Sequence, residues 1–314
     1  MPAQNTNNII QKYQTTLILF VIFFGGCLRL YQMDRALGGG DENHMLLYFG
    51  YTHLQYIATT YFDASNHIFH TMLVNLMSRW FGEENAMAIR MPSFLFGLAT
   101  LWMTYKVAWK IFISKKIALL ALLIATVNPV HIYYSQTARG YSLMMFFSTA
   151  VIYLVSKLLQ AKPNYWHVIL LALCGFLSVY TLPTNIFLLV SIAGWLLIIL
   201  LTPSWSREYG MHVEERKQKL IWFAGSALLM GLLLLLFYLP ILDQMVSTAR
   251  NHSLLTFNTQ SASISSLAPA IFSKIFQEPL IWFSPFLLVG LIYGKVEQRS
   301  YRLLPILILS LIHI

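Results

Sequence analysis

Residues 166–201 read WHVILLALCGFLSVYTLPTNIFLLVSIAGWLLIILL, and this stretch decides the fold class. Trp166 to Leu182 and Asn185 to Leu201 contain no Asp, Glu, Lys or Arg. Each run approaches the roughly 20 apolar residues that carry a helix across about 30 Å of hydrocarbon. Pro183 between them marks a tight turn joining two spans, not an interruption at the centre of the membrane.

Further blocks of the same kind lie on both sides: Thr16 to Met33, Met91 to Phe112, Ile117 to Tyr134, Tyr141 to Leu158, Leu220 to Leu239 and Leu280 to Gly294. A last run, Leu303 to Ile314, is too short to cross. The expected fold is all-α, a polytopic transmembrane helical bundle of eight spans and a remnant, forming one domain over residues 1–314 whose C-terminal part is expected to be incomplete. Composition agrees. The chain is 57% hydrophobic and 11% charged with mean hydropathy +0.62, whereas soluble domains carry about 25% charged residues. Phe24-Gly25-Gly26-Cys27 faintly resembles a lipoprotein cleavage box, but the polar leader has one lysine and more spans follow, so the first span reads as a retained anchor. Cys27 and Cys174 sit inside apolar runs and read as packing residues.

The net charge of +9 does not point to nucleic acid, because the basic residues occupy short connections and form no continuous stripe. Lys12, then Lys106, Lys110, Lys115 and Lys116, then Lys157 and Lys162, then Arg207, Arg216, Lys217 and Lys219, then Lys295, Arg299 and Arg302 all fall on one side. That side is expected to be cytoplasmic, with the N-terminus, in a plasma membrane if bacterial or the endoplasmic reticulum if eukaryotic. The opposite side receives eight of the 12 acidic residues, in the segments Asp34 to Arg90 and Ile241 to Pro279. The chemistry is therefore expected to face outward. Asn251-His252-Ser253 has the form of a glycosylation acceptor, a frequent chance match that carries no argument.

The outer loop of residues 34–90 is too long to be a plain connection. From Ser65 to Phe81, the residues Phe69, Met72, Leu73, Leu76 and Trp80 follow helical spacing, while His67, Thr71, Asn75 and Arg79 recur four apart on another face. This predicts an amphipathic helix lying in the membrane interface. Asn43 to Tyr61, rich in tyrosine, predicts a second. At its entrance stands Gly38-Gly39-Gly40-Asp41-Glu42. Either acid has a structural role open to it, Asp41 as a helix cap and Glu42 as a partner of the helix dipole.

Three segments, in this order and spacing, resemble membrane glycosyltransferases of the C superfamily, in particular the protein O-mannosyltransferase-like and lipid A aminoarabinose transferase-like branch. The first is Leu28-Arg29-Leu30-Tyr31 followed by Asp41-Glu42. The second is Asn66-His67, then Trp80-Phe81-Gly82, Arg90-Met91-Pro92-Ser93 and Phe96-Gly97. The third is Asn128-Pro129 and the run His131 to Tyr141. The chain departs from the pattern at Ile68-Phe69, where the family commonly has two prolines, and at Gly40, where it has an apolar residue.

The resemblance implies transfer of a sugar from a polyprenyl-phosphate donor to a hydroxyl of a glycan, lipid or protein acceptor, with inversion. An acceptor hydroxyl needs a carboxylate to take its proton; Asp41, with Glu42 beside it, is the expected catalytic group. A departing phosphate needs fixed cations, and arginine pairs two of its oxygens at once. Arg90 and Arg139 are the expected donor phosphate contacts, although arginine at a span's end also snorkels to headgroups without a catalytic part. His67, Tyr134 and Gln136 are the expected substrate-binding residues. No cofactor and no metal are expected, His67 and His70 being the closest approach to ligand spacing. The rival from another class is a lipid or solute transporter or flippase, which calls for buried charges or broken helices near mid-membrane. A non-catalytic scaffold would ask nothing of Asp41.

Overall fold

The computed structural model describes residues 2–37, 40–160 and 164–248, and among these every regular element is helical. Gly38-Gly39, Lys162, the triplet Asn251-His252-Ser253, the block Leu280 to Gly294, the run Leu303 to Ile314 and the basic residues Lys295, Arg299 and Arg302 lie outside them. The helices are α1 (Pro2–Leu30), α2 (Gly40–Met45), α3 (Leu54–Thr59), α4 (Ile68–Phe81), α5 (Ala86–Phe112), α6 (Lys115–Val127), α7 (Pro129–Ser135), α8 (Tyr141–Gln160), α9 (Tyr165–Thr181), α10 (Ile186–Leu201), α11 (Pro203–Glu208) and α12 (Val213–Tyr238). Five stretches are long and apolar enough to cross a membrane, in α1, α5, α8, α10 and α12. The pair α6–α7 makes a bent sixth, and α9 is a shorter apolar helix. The chain is an all-α integral membrane protein, as its apolar blocks predict.

α5 is the hub, packed against α1, α4, α6, α7 and α8, while α9 joins α8 to α12. Ile18, Val21, Leu101, Tyr105 and Leu122 form the core between α1, α5 and α6. A second core, around the fully buried Trp195, joins α8, α9 and α10. Pro183–Asn185 is a single tight 3₁₀ turn between α9 and α10, the turn expected there.

One span departs from the sequence reading. Ile117 to Tyr134 is not straight: α6 stops at Val127 and α7 leaves at 61°. Pro129 disfavours a helical Asn128, which adopts extended backbone and caps α7 by accepting the His131 N–H through its side chain. The carbonyls stranded at the end of α6 are met by Arg29 of α1. This fully buried guanidinium donates to Thr126 O at 3.1 Å, Ala125 O at 3.3 Å, Gly25 O at 2.9 Å and the His131 Nδ1 at 2.8 Å. Because arginine is always a donor, His131 must accept at Nδ1 and carry its proton on Nε2.

The loop between α1 and α5 also departs from expectation. Asn43 to Tyr61 is not one helix: after α2 comes a π-helical turn, Leu46–Gly50, and then α3. α4 is present, but it is turned the other way round. His70, Thr71, Asn75 and Ser78 are buried, whereas Trp80 is 69% exposed. The reason is the unpaired backbone around it. Asn75 Nδ2 donates to Gly50 O at 2.9 Å and Thr52 O at 2.7 Å, and Asn66 Nδ2 to Ile57 O at 3.2 Å and Thr60 O at 3.0 Å. Irregular carbonyls inside an apolar setting must find donors, so the polar face of α4 turns inward to supply them.

Candidate active site

The turn at residues 136–140, between α7 and α8, is gripped at three successive backbone groups by side chains from earlier in the chain. Glu42 Oε1 accepts the Ala138 N–H at 2.7 Å. Ser93 Oγ donates to Arg139 O at 3.0 Å. His67 Nδ1 accepts the Gly140 N–H at 2.7 Å, which fixes the His67 proton on Nε2. His70 stands behind Ser93, its Nε2 3.0 Å from the hydroxyl oxygen. Since that hydroxyl spends its proton on Arg139 O, His70 donates.

The turn comes too close for a side chain at residue 140. A Cβ there would lie 2.7 Å from Thr181 Cγ2, 2.8 Å from His67 Nδ1 and 2.9 Å from His67 Cβ. Gly140→Ala is expected to push His67 off the turn and cost about 1–3 kcal/mol, as overpacking does. Thermal unfolding in detergent measures it, and an unchanged midpoint would mean that the turn can yield.

Burial without a charged partner holds both imidazoles neutral: the His67 pKa falls to about 4 and that of His70 to about 3, the second lowered further by His67. In the unfolded chain these groups bind protons near pH 6.5. Between that pH and the lowered values the unfolded state holds more protons, so stability is full above about pH 6.5 and falls as the pH drops towards 4. Unfolding midpoints from pH 7.5 to 4.5 test this; replacing both histidines by glutamine should flatten the decline.

Arg90 and Glu42 meet in a way the sequence did not foretell. Arg90 is fully buried. Its Nε donates to Glu42 Oε1 at 2.9 Å and its Nη2 to Glu42 Oε2 at 2.7 Å; Nη1 reaches Met33 O at 2.9 Å and Arg35 O at 2.6 Å, and Nη2 also reaches Ala36 O at 3.4 Å. The five N–H groups of a guanidinium are thereby all engaged. Arg90, expected at a donor phosphate, has no donor left to offer one, and Glu42, expected beside the catalytic group, is 7% exposed and committed to Arg90 and Ala138. Gln136 is likewise drawn into the frame, its Nε2 donating to Leu28 O at 3.1 Å and Tyr31 O at 2.8 Å at the end of α1.

Asp41 and Arg139 are arranged differently. The Asp41 carboxylate is 73% exposed, and its Oδ2 lies 2.5 Å from Arg139 Nη1. The contact is a close ion pair, and the Arg139 Nε is a buried donor with no hydrogen-bond acceptor. The guanidinium carbon sits 5.5 Å from the centre of the Tyr141 ring. Tyr141 packs on Tyr134 at 4.3 Å and meets His67 edge-on at 5.2 Å. Of the expected site residues, the structure thus brings Asp41, Arg139, Tyr134 and His67 into one neighbourhood. Among the described residues no group of three or more His, Cys, Asp or Glu side chains is placed to hold a metal ion. Ser93, His70, Gly140 and Arg29 were not singled out from sequence as site residues. Each does fall inside or beside the three quoted segments, which was the one signal available.

Residues 67–215 match the family model described as dolichyl-phosphate-mannose-protein mannosyltransferase. This mannosyltransferase match spans just under half of the chain and bears out the resemblance read from the motifs. It includes His67, Arg90, Tyr134, Gln136 and Arg139 and begins after Asp41 and Glu42. Together with the apolar helices it supports a membrane glycosyltransferase of the mannosyltransferase type. No curated protein and no solved structure matches the chain significantly.

Proposed function

We propose that this chain moves a sugar from a polyprenyl-phosphate carrier to an acceptor hydroxyl at the non-cytoplasmic end of the bundle, inverting the anomeric carbon. The observation that carries this reading is the pairing of an exposed carboxylate, Asp41, with a nearly buried guanidinium, Arg139, whose Nε has no acceptor. In one displacement the acceptor oxygen bonds to the anomeric carbon, the bond from that carbon to the phosphate oxygen breaks, and the acceptor proton passes to Asp41. The carrier leaves as a monoester phosphate bearing one more negative charge, and Arg139 stands where that charge can be met. A bound donor phosphate would also draw Arg139 away from Asp41 and free the carboxylate to act as a base. His67, its proton fixed on Nε2, offers a neutral donor beside the tyrosines. Glu42, Arg90 and Gln136 hold the turn that presents Arg139. The sugar is taken to be mannose on the strength of the family match alone.

Arg139→Met tests the reading directly. Membranes supplied with labelled polyprenyl-phosphate mannose should transfer sugar with a catalytic efficiency lowered about 100-fold or more, as when a transition-state donor is removed. Transfer retained within a few-fold would remove Arg139 from the site, and no transfer even by the parent chain from any sugar of a donor panel would sink the reading.

A further inference from the structure

Beyond Asp41, α2 and the turn that follows it carry a row of groups that the transfer chemistry leaves unused. His44 lies one helical turn on from Asp41 and so shares its face, and Tyr48 lies one turn further. The His44 ring sits 4.5 Å from that of Tyr48, Tyr48 meets Phe62 edge-on at 5.5 Å, and Phe62 stacks on Phe49 at 5.0 Å. Tyr48 and Phe62 are 48% and 46% exposed. Polar groups border the rings: His44 Nδ1 is 3.4 Å from Asp63 Oδ1 and 3.3 Å from Ser65 Oγ, and Asp41 stands at the head of the row. By helical rise the row leads about 10 Å away from the Asp41 carboxylate.

We propose that this shelf binds the acceptor, and that the acceptor is a saccharide. The proposal rests on the transferase reading and deepens it. A sugar ring presents an apolar C–H face and a rim of hydroxyls. Exposed aromatic faces edged by a carboxylate and an imidazole satisfy both parts, as binding sites combine apolar walls with a few placed polar groups. Lipid is a poor occupant, because its acyl chains would cover the Asp41–Arg139 and His44–Asp63 contacts and take these ionisable groups out of water. An extended peptide would find no strand edge to pair with among the described residues and would have to rely on the rings alone. Arg139 reaches Asp41 from the α7–α8 turn, whereas the rings follow Asp41 along its own segment, so donor and acceptor approach the carboxylate from different elements.

The test uses the full chain in detergent micelles with methyl mannoside and short mannose oligosaccharides as probes, read by saturation-transfer NMR, which needs no turnover. Irradiating the protein's aromatic protons should transfer saturation to the sugar C–H protons. The signal should fall at least fivefold in the Tyr48→Ala/Phe62→Ala double variant and hold in Tyr48→Phe. An unchanged signal in the double variant, no signal from the parent chain, or equal loss in Tyr48→Phe would overturn the shelf. A serine-containing peptide and micelle lipid are run alongside; saturation passing to either through Tyr48 and Phe62, with none to sugar, overturns it too. Saccharide binding that needs the rings in a chain showing no sugar transfer would keep the shelf while removing the transferase reading, so the two can fail separately.

Discussion

Asp41→Asn is expected to lower sugar transfer by about 10²–10⁴-fold, the range a positioned base contributes, while leaving the fold intact. The substitution keeps the size of the side chain and removes its basicity. The carboxylate is 73% exposed, so no buried cavity follows from the change, and the Asn side-chain oxygen can still accept from Arg139. Arg139 loses an ion pair that solvent partly screens, which is worth little to stability. The measurement compares incorporation of labelled mannose by membranes carrying the parent and variant chains at equal amounts, with the unfolding midpoint taken beside it. Transfer by the variant within a few-fold of the parent would mean that another group takes the acceptor proton. A large fall in midpoint would mean that Asp41 belongs to the scaffold.

Arg90→Met is the second large effect, and it should appear in stability first. It leaves the buried Glu42 carboxylate facing an apolar side chain and strips the carbonyls of Met33, Arg35 and Ala36 of their donor. Breaking one side of a buried pair costs about 3–5 kcal/mol, a fall in midpoint on the order of 10 °C for a chain of this size. Adding Glu42→Gln should return part of the loss, because the uncompensated charge is gone. A single variant that unfolds within 2 °C of the parent yet fails to bind donor would restore Arg90 to the phosphate role that its motif suggested.

The two acidic neighbours show where sequence reasoning stopped. Asp41-Glu42 was legible as a pair of interest, but adjacent helical positions point in different directions, and nothing in the order of letters says which one turns inward. The answer depends on Arg90, 48 positions further on and buried. The apolar blocks were legible because hydrocarbon thickness sets their length. The bend at Asn128–Pro129 was written in the chain as a cap followed by a proline, and was masked by the apolar residues on both sides of it. The inward polar face of α4 was unreadable for a different reason. Amphipathicity reports two faces and not their directions, and here the demands of neighbouring irregular backbone outweighed the preference of polar side chains for water.

Arg29 has a consequence for how the protein is made. Its guanidinium sits on the first helix, yet most of its acceptors are Ala125, Thr126 and His131, about a hundred residues later. While the ribosome is still extending the chain, only Gly25 O on its own helix and the headgroup region can receive it. The first helix therefore enters the bilayer with an unsettled charge and is anchored for good only when the bent pair α6–α7 arrives. A nascent chain that stops short of Ala125 lacks three of the four groups that receive this guanidinium in the finished fold.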